Sequence, residues 1–152
     1  MKTIKVYVDT SIIGGVFDSE FASATTKFFD QVNEGRFQLV ISALVEEELL
    51  AAPEKVKDFF DGIYKQALII DVSEDAIQLR EYYLKANIVT KKSSNDALHV
   101  ALATVNNCPI IVSWNFKHIV HFEKIPLYNS INLINGYHPI AIYSPLEVLR
   151  YE

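Results

Sequence analysis

A single cysteine, Cys108, stands in a chain of 152 residues. One thiol excludes an intrachain disulfide framework and a multi-cysteine zinc site, and it suits a reducing compartment. Glycine and proline are scarce, five of each, and they are too dispersed to build a linker or a low-complexity tract. No apolar run approaches the ~18 residues of a spanning helix, and no basic segment followed by a long apolar stretch opens the chain. The expectation is therefore no membrane span, no signal peptide and a cytoplasmic location. Positive charge is in deficit as well, 14 Lys and Arg against 19 Asp and Glu for a net charge of −5. That balance excludes a general nucleic-acid coat, which needs a broad basic field. A nuclease stays open, because acids that carry a cation toward phosphate make an enzyme acidic overall.

What is present is a core. Half of the residues are apolar, enough for one domain over residues 1–152 with no staple. Apolar runs predict strands at 4–8, 37–41, 67–72, 109–113 and, at an edge, 139–143. Between them fall helical patterns at 25–32, from Ser42 through Ala51, from Pro53 through Ile63, from Ser73 to about Ala86 and over 96–105. Gly14-Gly15 marks a turn or a weakened helix start after the first strand. The polar stretch 87–94 reads as a loop, with Ser94 or Asn95 capping the next helix. A short helix is predicted at 116–122, a possible turn of helix closed by Gly136 at 129–136, and a C-terminal turn from Ser144-Pro145. Strands alternating with helices predict βαβ units: an α/β chain, a three-layer α/β/α sandwich on a mainly parallel sheet of about five strands.

In such sheets ligands sit beyond the carboxyl ends of strands. Asp9 falls there, directly after Ile4–Val8, and has two readings: a helix cap or a functional acid. Glu48 lies six residues beyond Ser42. Asp96 opens a helix that runs antiparallel to the strand it feeds, so it starts at the same edge. Three carboxylates within ~4 Å repel by a few kcal/mol, and a hard divalent cation turns that repulsion into attraction. Soft-ligand metals would want Cys or His. His118 and His121 share a turn but lack a third zinc ligand.

Four short stretches, in order, carry a family resemblance: Val8-Asp9-Thr10-Ser11, Ile41 to Leu49, Asn95-Asp96-Ala97-Leu98-His99, and Ile111-Val112-Ser113-Trp114-Asn115-Phe116-Lys117-His118. Together they resemble the PIN domain family, especially single-domain toxins of the VapC type. The resemblance spans nearly the whole chain and implies a Rossmann-like sandwich and metal-dependent ribonuclease activity. Asp9, Glu48 and Asp96 would hold Mg²⁺ or Mn²⁺, and hydrolysis by cation-activated water would leave 5′-phosphate and 3′-hydroxyl ends. It also implies RNA as substrate, a cognate antitoxin protein and a homodimer. Glu48 is preferred over Glu46 and Glu47 on the family spacing, the other two pointing elsewhere around the helix. Asn115 stands where many members carry a further acid. It can ligate or orient a water but adds neither charge nor a base.

Other residues keep paired readings. Ser113 either supports Asp9 or caps its strand end. His99, one turn past Asp96, either meets substrate or is a satisfied structural histidine. Trp114 either stacks on a base or packs. Lys91, Lys92, Lys117 and Lys124 form either a cationic rim for phosphates or merely solvated loops. Two alternatives accompany the toxin reading: a catalytically idle RNA- or protein-binding module, and a solitary RNA-processing nuclease. A dehalogenase-type phosphatase would need a second Asp where Ser11 stands.

Overall fold

The computed structural model describes residues 3–151. Five strands, β1 (Ile4–Val8), β2 (Phe37–Ser42), β3 (Leu68–Ile70), β4 (Ile110–Val112) and β5 (Ala141–Tyr143), pair in the order β3-β2-β1-β4-β5. Every pairing is parallel. Eight α-helices lie around them: α1 (Thr10–Gly15), α2 (Ala22–Asn33), α3 (Ala43–Glu48), α4 (Glu54–Tyr64), α5 (Glu74–Lys85), α6 (Ser94–Val105), α7 (Ile125–Ile134) and α8 (Pro145–Val148).

Alternation along the strands builds two cores. Tyr7, Val40, Ile111 and Ile142 face one side, where α5, α6 and α7 pack through Leu79, Tyr83, Leu102 and Tyr128. Val6, Val8, Leu39, Ile41 and Val112 face the other, against Ile12, Phe28, Val45, Phe60 and Val148 of α1, α2, α3, α4 and α8. Burial on both faces is why the central strands read as continuous apolar runs. The predicted sandwich and its mainly parallel sheet are what the chain forms.

The strand order reverses between β1 and β4, since β2 and β3 extend one way and β5 the other. A crevice at the carboxyl edge follows from that reversal.

The differences from the sequence-based expectation are local. No helix forms at 116–122, which is a run of turns. There the Asn115 side-chain oxygen takes the His118 N–H, and the Asn115 carbonyl takes both Ile119 and Val120 N–H. The His118 carbonyl accepts the Tyr128 hydroxyl. Residues 129–136, which the apolar pattern alone does not decide, belong mostly to α7. That helix starts at Ile125 with Pro126 in its first turn and is followed by Gly136 at φ +83°. The loop 87–94 contains a 3₁₀ turn at Lys91–Ser93, and Ser94 is already helical, so Ser93 occupies the cap position. The helix after Ser42 divides, with Leu49–Ala51 forming a 3₁₀ turn.

Candidate active site at the carboxyl edge of the sheet

Asp9 follows the last residue of β1 and is only 4% exposed. Two hydroxyls hold its carboxylate: Ser11 Oγ donates to Oδ1 at 2.6 Å and Ser113 Oγ donates to Oδ2 at 2.7 Å. Ser113 comes from the end of β4, so this pair of bonds straddles the strand-order reversal. Each hydroxyl is itself held in place. Ser11 Oγ accepts the Trp114 N–H and Ser113 Oγ accepts the Asn115 N–H, both at 2.9 Å. Asp9 has cap-like backbone geometry but makes no side-chain cap bond to α1. Its carboxylate bonds Ser11 and Ser113 instead.

Glu48, the last residue of α3, approaches from the neighbouring strand's crossover. Its Oε1 accepts Thr10 Oγ1 and His99 Nε2, both at 2.6 Å. Asn95, in the first turn of α6, also helps to hold the Glu48 carboxyl low. A carboxylate only accepts, so His99 carries hydrogen on Nε2, and in the neutral ring Nδ1 accepts. The Tyr7 hydroxyl, 2.7 Å from Nδ1, then donates to it and takes a hydrogen bond from Ser42 Oγ at 2.8 Å. With the ring neutral, a directed chain results: Ser42 to Tyr7 to His99 to Glu48.

The two acids respond oppositely to this setting. Burial pushes the Asp9 carboxyl above its ordinary value; the His99 charge and the Ser11 and Ser113 bonds pull back, and Glu48 pushes it further up. For Glu48, burial also acts upward, but hydrogen bonding and charge from His99, with Thr10 and Asn95, outweigh it and hold the carboxyl low. At neutral pH the crevice therefore combines an ionised Glu48 with a buried Asp9 whose desolvation outweighs the pull of His99, Ser11 and Ser113.

Asp96 is half-buried in the first turn of α6, beside Asn95. Its charge acts on His118 and Tyr128. Among the described residues no group of three or more His, Cys, Asp or Glu is arranged to hold a metal ion by itself. The coupled pair is Asp9 and Glu48, with Asp96 on the neighbouring helix turn. As donors these are hard carboxylate oxygens, backed by hydroxyls and by no cationic side chain bonded to Asp9, a set that fits Mg²⁺ or Mn²⁺ rather than a soft ion.

The remaining sequence-derived residues separate. Ser113 bonds Asp9 directly. His99 is buried and satisfied at both ring nitrogens, and one of those partners is Glu48. Trp114 packs: its ring stacks on Phe21 with centroids 4.2 Å apart and its indole N–H bonds Thr25 Oγ1 at 2.9 Å. Asn115 uses its side-chain oxygen on the His118 N–H. His118 Nε2 lies 3.1 Å from Ser93 Oγ, and His121 Nδ1 accepts the Glu123 N–H. Lys124 donates to the Ile88 carbonyl, while Lys91, Lys92 and Lys117 are exposed.

Sequence reasoning missed Tyr7, Thr10, Ser11 and Ser42. A signal existed, for hydroxyl residues end or follow β1, β2 and β4 in the sequence: Thr10-Ser11, Ser42 and Ser113.

A model of the PIN domain matches residues 6–119. No curated protein matches the chain. Among solved structures, VapBC2 from Rickettsia felis, crystallised with a DNA fragment from its promoter, superposes at a TM-score of 0.58 and 16% identity, covering 93% of this chain and 98% of that one. FitAcB from Neisseria gonorrhoeae gives 0.57 and 14%, covering 94% and 99%. A tyrosyl-tRNA synthetase from Archaeoglobus fulgidus, complexed with L-tyrosine, gives 0.51 and 10%, covering 96% of this chain and 56% of that chain. At such identities the likeness is one of fold, and a synthetase among the neighbours illustrates that fold alone does not name an activity.

Proposed function

The chain belongs to the PIN domain family, and from that membership we propose that it is a Mg²⁺- or Mn²⁺-dependent ribonuclease that hydrolyses RNA phosphodiester bonds at the Asp9–Glu48 crevice. The observation that carries the reading is Asp9: a carboxylate 4% exposed, fixed by two hydroxyls, and pushed upward by burial next to a second acid. Structure alone does not ask for a buried acid whose desolvation exceeds what its partners return, whereas chemistry at a cation does.

Asp9, Glu48 and Asp96 are the residues that would hold the ion. When bound, it would supply charge neutralisation at the scissile phosphate and activation of the attacking water. The chain's own side chains have separable tasks. Ser11 and Ser113 orient both oxygens of Asp9. His99, itself aimed by Tyr7, keeps Glu48 ionised and fixed. Thr10 holds the same Glu48 oxygen from the α1 side. Asn115 supports the turn after β4 through His118 and contributes no charge. The products on this reading are 5′-phosphate and 3′-hydroxyl ends.

The proposed setting is the toxin half of a toxin–antitoxin pair, acting as a homodimer with a cognate antitoxin partner. Fold likeness to VapBC2 and FitAcB favours that setting over a solitary RNA-processing enzyme. A second reading, a catalytically idle binding module, is favoured by one observation: the Asn115 oxygen is already engaged by a backbone N–H. Cleavage of labelled single-stranded RNA with Mn²⁺ separates the two. Wild type should cut, and Asp9→Asn should lose at least roughly a hundredfold in rate. Equal rates would remove the nuclease reading.

A further inference from the structure

Away from the crevice, the described residues form a cleft of about 600 Å³ between the end of α5 and the 87–94 segment. Arg80, Lys85 and Lys91 stand on its walls with Glu81 as the sole acid, and Leu84 and Val89 line it as well. Arg80 shares its charge with Glu81 through two bonds to one carboxylate oxygen, at 3.2 and 2.9 Å. Lys85 and Lys91 make no hydrogen bond or ion pair among the described residues. In a chain of net charge −5 this is a local excess of positive charge. Its end matters as much as its sign. Ser94, which lines the cleft, is the first residue of α6, followed by Asn95, which acts on Glu48, and Asp96.

We propose that this cleft carries the phosphate backbone of the RNA substrate on one side of the scissile bond, with Lys85 and Lys91 meeting successive phosphates. The inference rests on the nuclease reading and adds the path by which the strand enters. Several features fit a single strand. The cations lie along the walls, where they can follow phosphates. Thr90, Ser94 and the Asn87 side chain offer hydrogen-bonding groups for ribose and phosphate oxygens, and the half-buried Leu84 side chain gives a base an apolar surface. Continuity with the first turn of α6 delivers the strand to Glu48. Lysines supply the attraction that the acids alone would oppose, so affinity is drawn from the cleft and chemistry from the crevice.

The test compares wild type with Lys85→Glu/Lys91→Glu and with Lys65→Glu, a charge reversal at the end of α4 on the opposite layer. Steady-state cleavage of single-stranded RNA with Mn²⁺ is measured across a salt series. The double variant should raise KM by roughly tenfold or more with kcat little changed. The salt dependence of kcat/KM should flatten by about 0.7 for each phosphate that is no longer neutralised. Lys65→Glu should leave KM within about twofold. Unchanged KM in the double variant of an active enzyme overturns the cleft and leaves the nuclease reading standing. Should wild type cut no RNA, anisotropy of a labelled oligonucleotide decides separately: weakened binding in the double variant upholds the cleft, equal binding overturns it. Loss of a protein partner by the double variant with RNA binding intact also overturns it.

Discussion

Helix α6 touches two buried polar clusters, one at each end, and they differ in kind. At its last turn Thr104 joins Asn132, Asn129 and Tyr83. The Tyr83 hydroxyl donates to Asn132 Oδ1, Asn132 Nδ2 reaches Thr104 Oγ1 and Asn129 Oδ1 at 3.3 Å, and Asn129 closes the set on both backbone groups of Ile140. Every member is neutral and paired. At its first turns, Asn95 and His99 serve Glu48, and beyond it lies Asp9, a buried acid whose desolvation His99 and two hydroxyls only partly offset. A closed neutral network welds α5, α6 and α7 together. An open charged one stores a cost that a ligand can relieve.

The contrast breaks cleanly if the two clusters trade effects. Asp9→Asn should cost activity, roughly a hundredfold or more, yet leave the metal-free melting temperature unchanged or higher, because it removes a desolvated charge. Asn132→Leu should do the reverse. Stranding the Tyr83 hydroxyl and removing the bonds to Thr104 and Asn129 should cost about 3 kcal/mol, a Tm fall on the order of 10 °C, while the folded fraction cuts RNA normally. Calorimetry paired with a cleavage assay checks both.

Next in size is a steric test of the wall behind Ser11. A Cβ on Gly15 would lie 2.8 Å from both Thr25 Oγ1 and Trp114 Nε1, the two atoms that bond each other. Gly15→Ala should therefore cost about 1–3 kcal/mol. Its neighbour Gly14 has nothing within 4 Å of such a Cβ, so Gly14→Ala should stabilise by about 0.5–1 kcal/mol. Denaturant titrations read opposite signs from adjacent residues.

The two acids sharpen the comparison through pH. Glu48 has a depressed folded pKa, so its stabilisation is present above the ordinary carboxylate range and is lost as pH falls through the folded value. Asp9 has a raised folded pKa, so metal-free protein is destabilised above that value and recovers as pH falls through it toward the ordinary carboxylate value. Wild type mixes both slopes. Asp9→Asn should expose the Glu48 slope alone, a steeper acid decline in Tm, and Glu48→Gln should expose the Asp9 slope, a Tm that rises as pH falls through the raised Asp9 value. His99→Leu should move the acid limb of the activity profile to higher pH, since Glu48 loses its main donor.

How much of this the sequence disclosed depends on the range of the interaction. Strands β1, β2 and β4 are apolar on both faces, and that composition alone marks a parallel sheet covered on both sides. The positions of Asp9 and Glu48 at its carboxyl edge follow from topology, as does the start of α6. The Asn115 turn was hidden because helical spacing in 116–122 is indistinguishable from apolar residues that a side-chain cap folds into the core. The roles of Tyr7 and His99 were hidden too. Tyr7 sits among apolar neighbours in β1 and reads as core, and only its distance to a residue 92 positions away reveals the hydroxyl's task.

The most direct test of the central claim is a Mn²⁺ titration of wild type and Asp9→Asn, with free ion counted by electron paramagnetic resonance. The account predicts saturable binding by wild type, tighter as pH rises because Asp9 must give up its proton, and binding weakened by at least roughly tenfold in Asp9→Asn. Equal binding by the two proteins, or none by wild type at millimolar Mn²⁺, would contradict it.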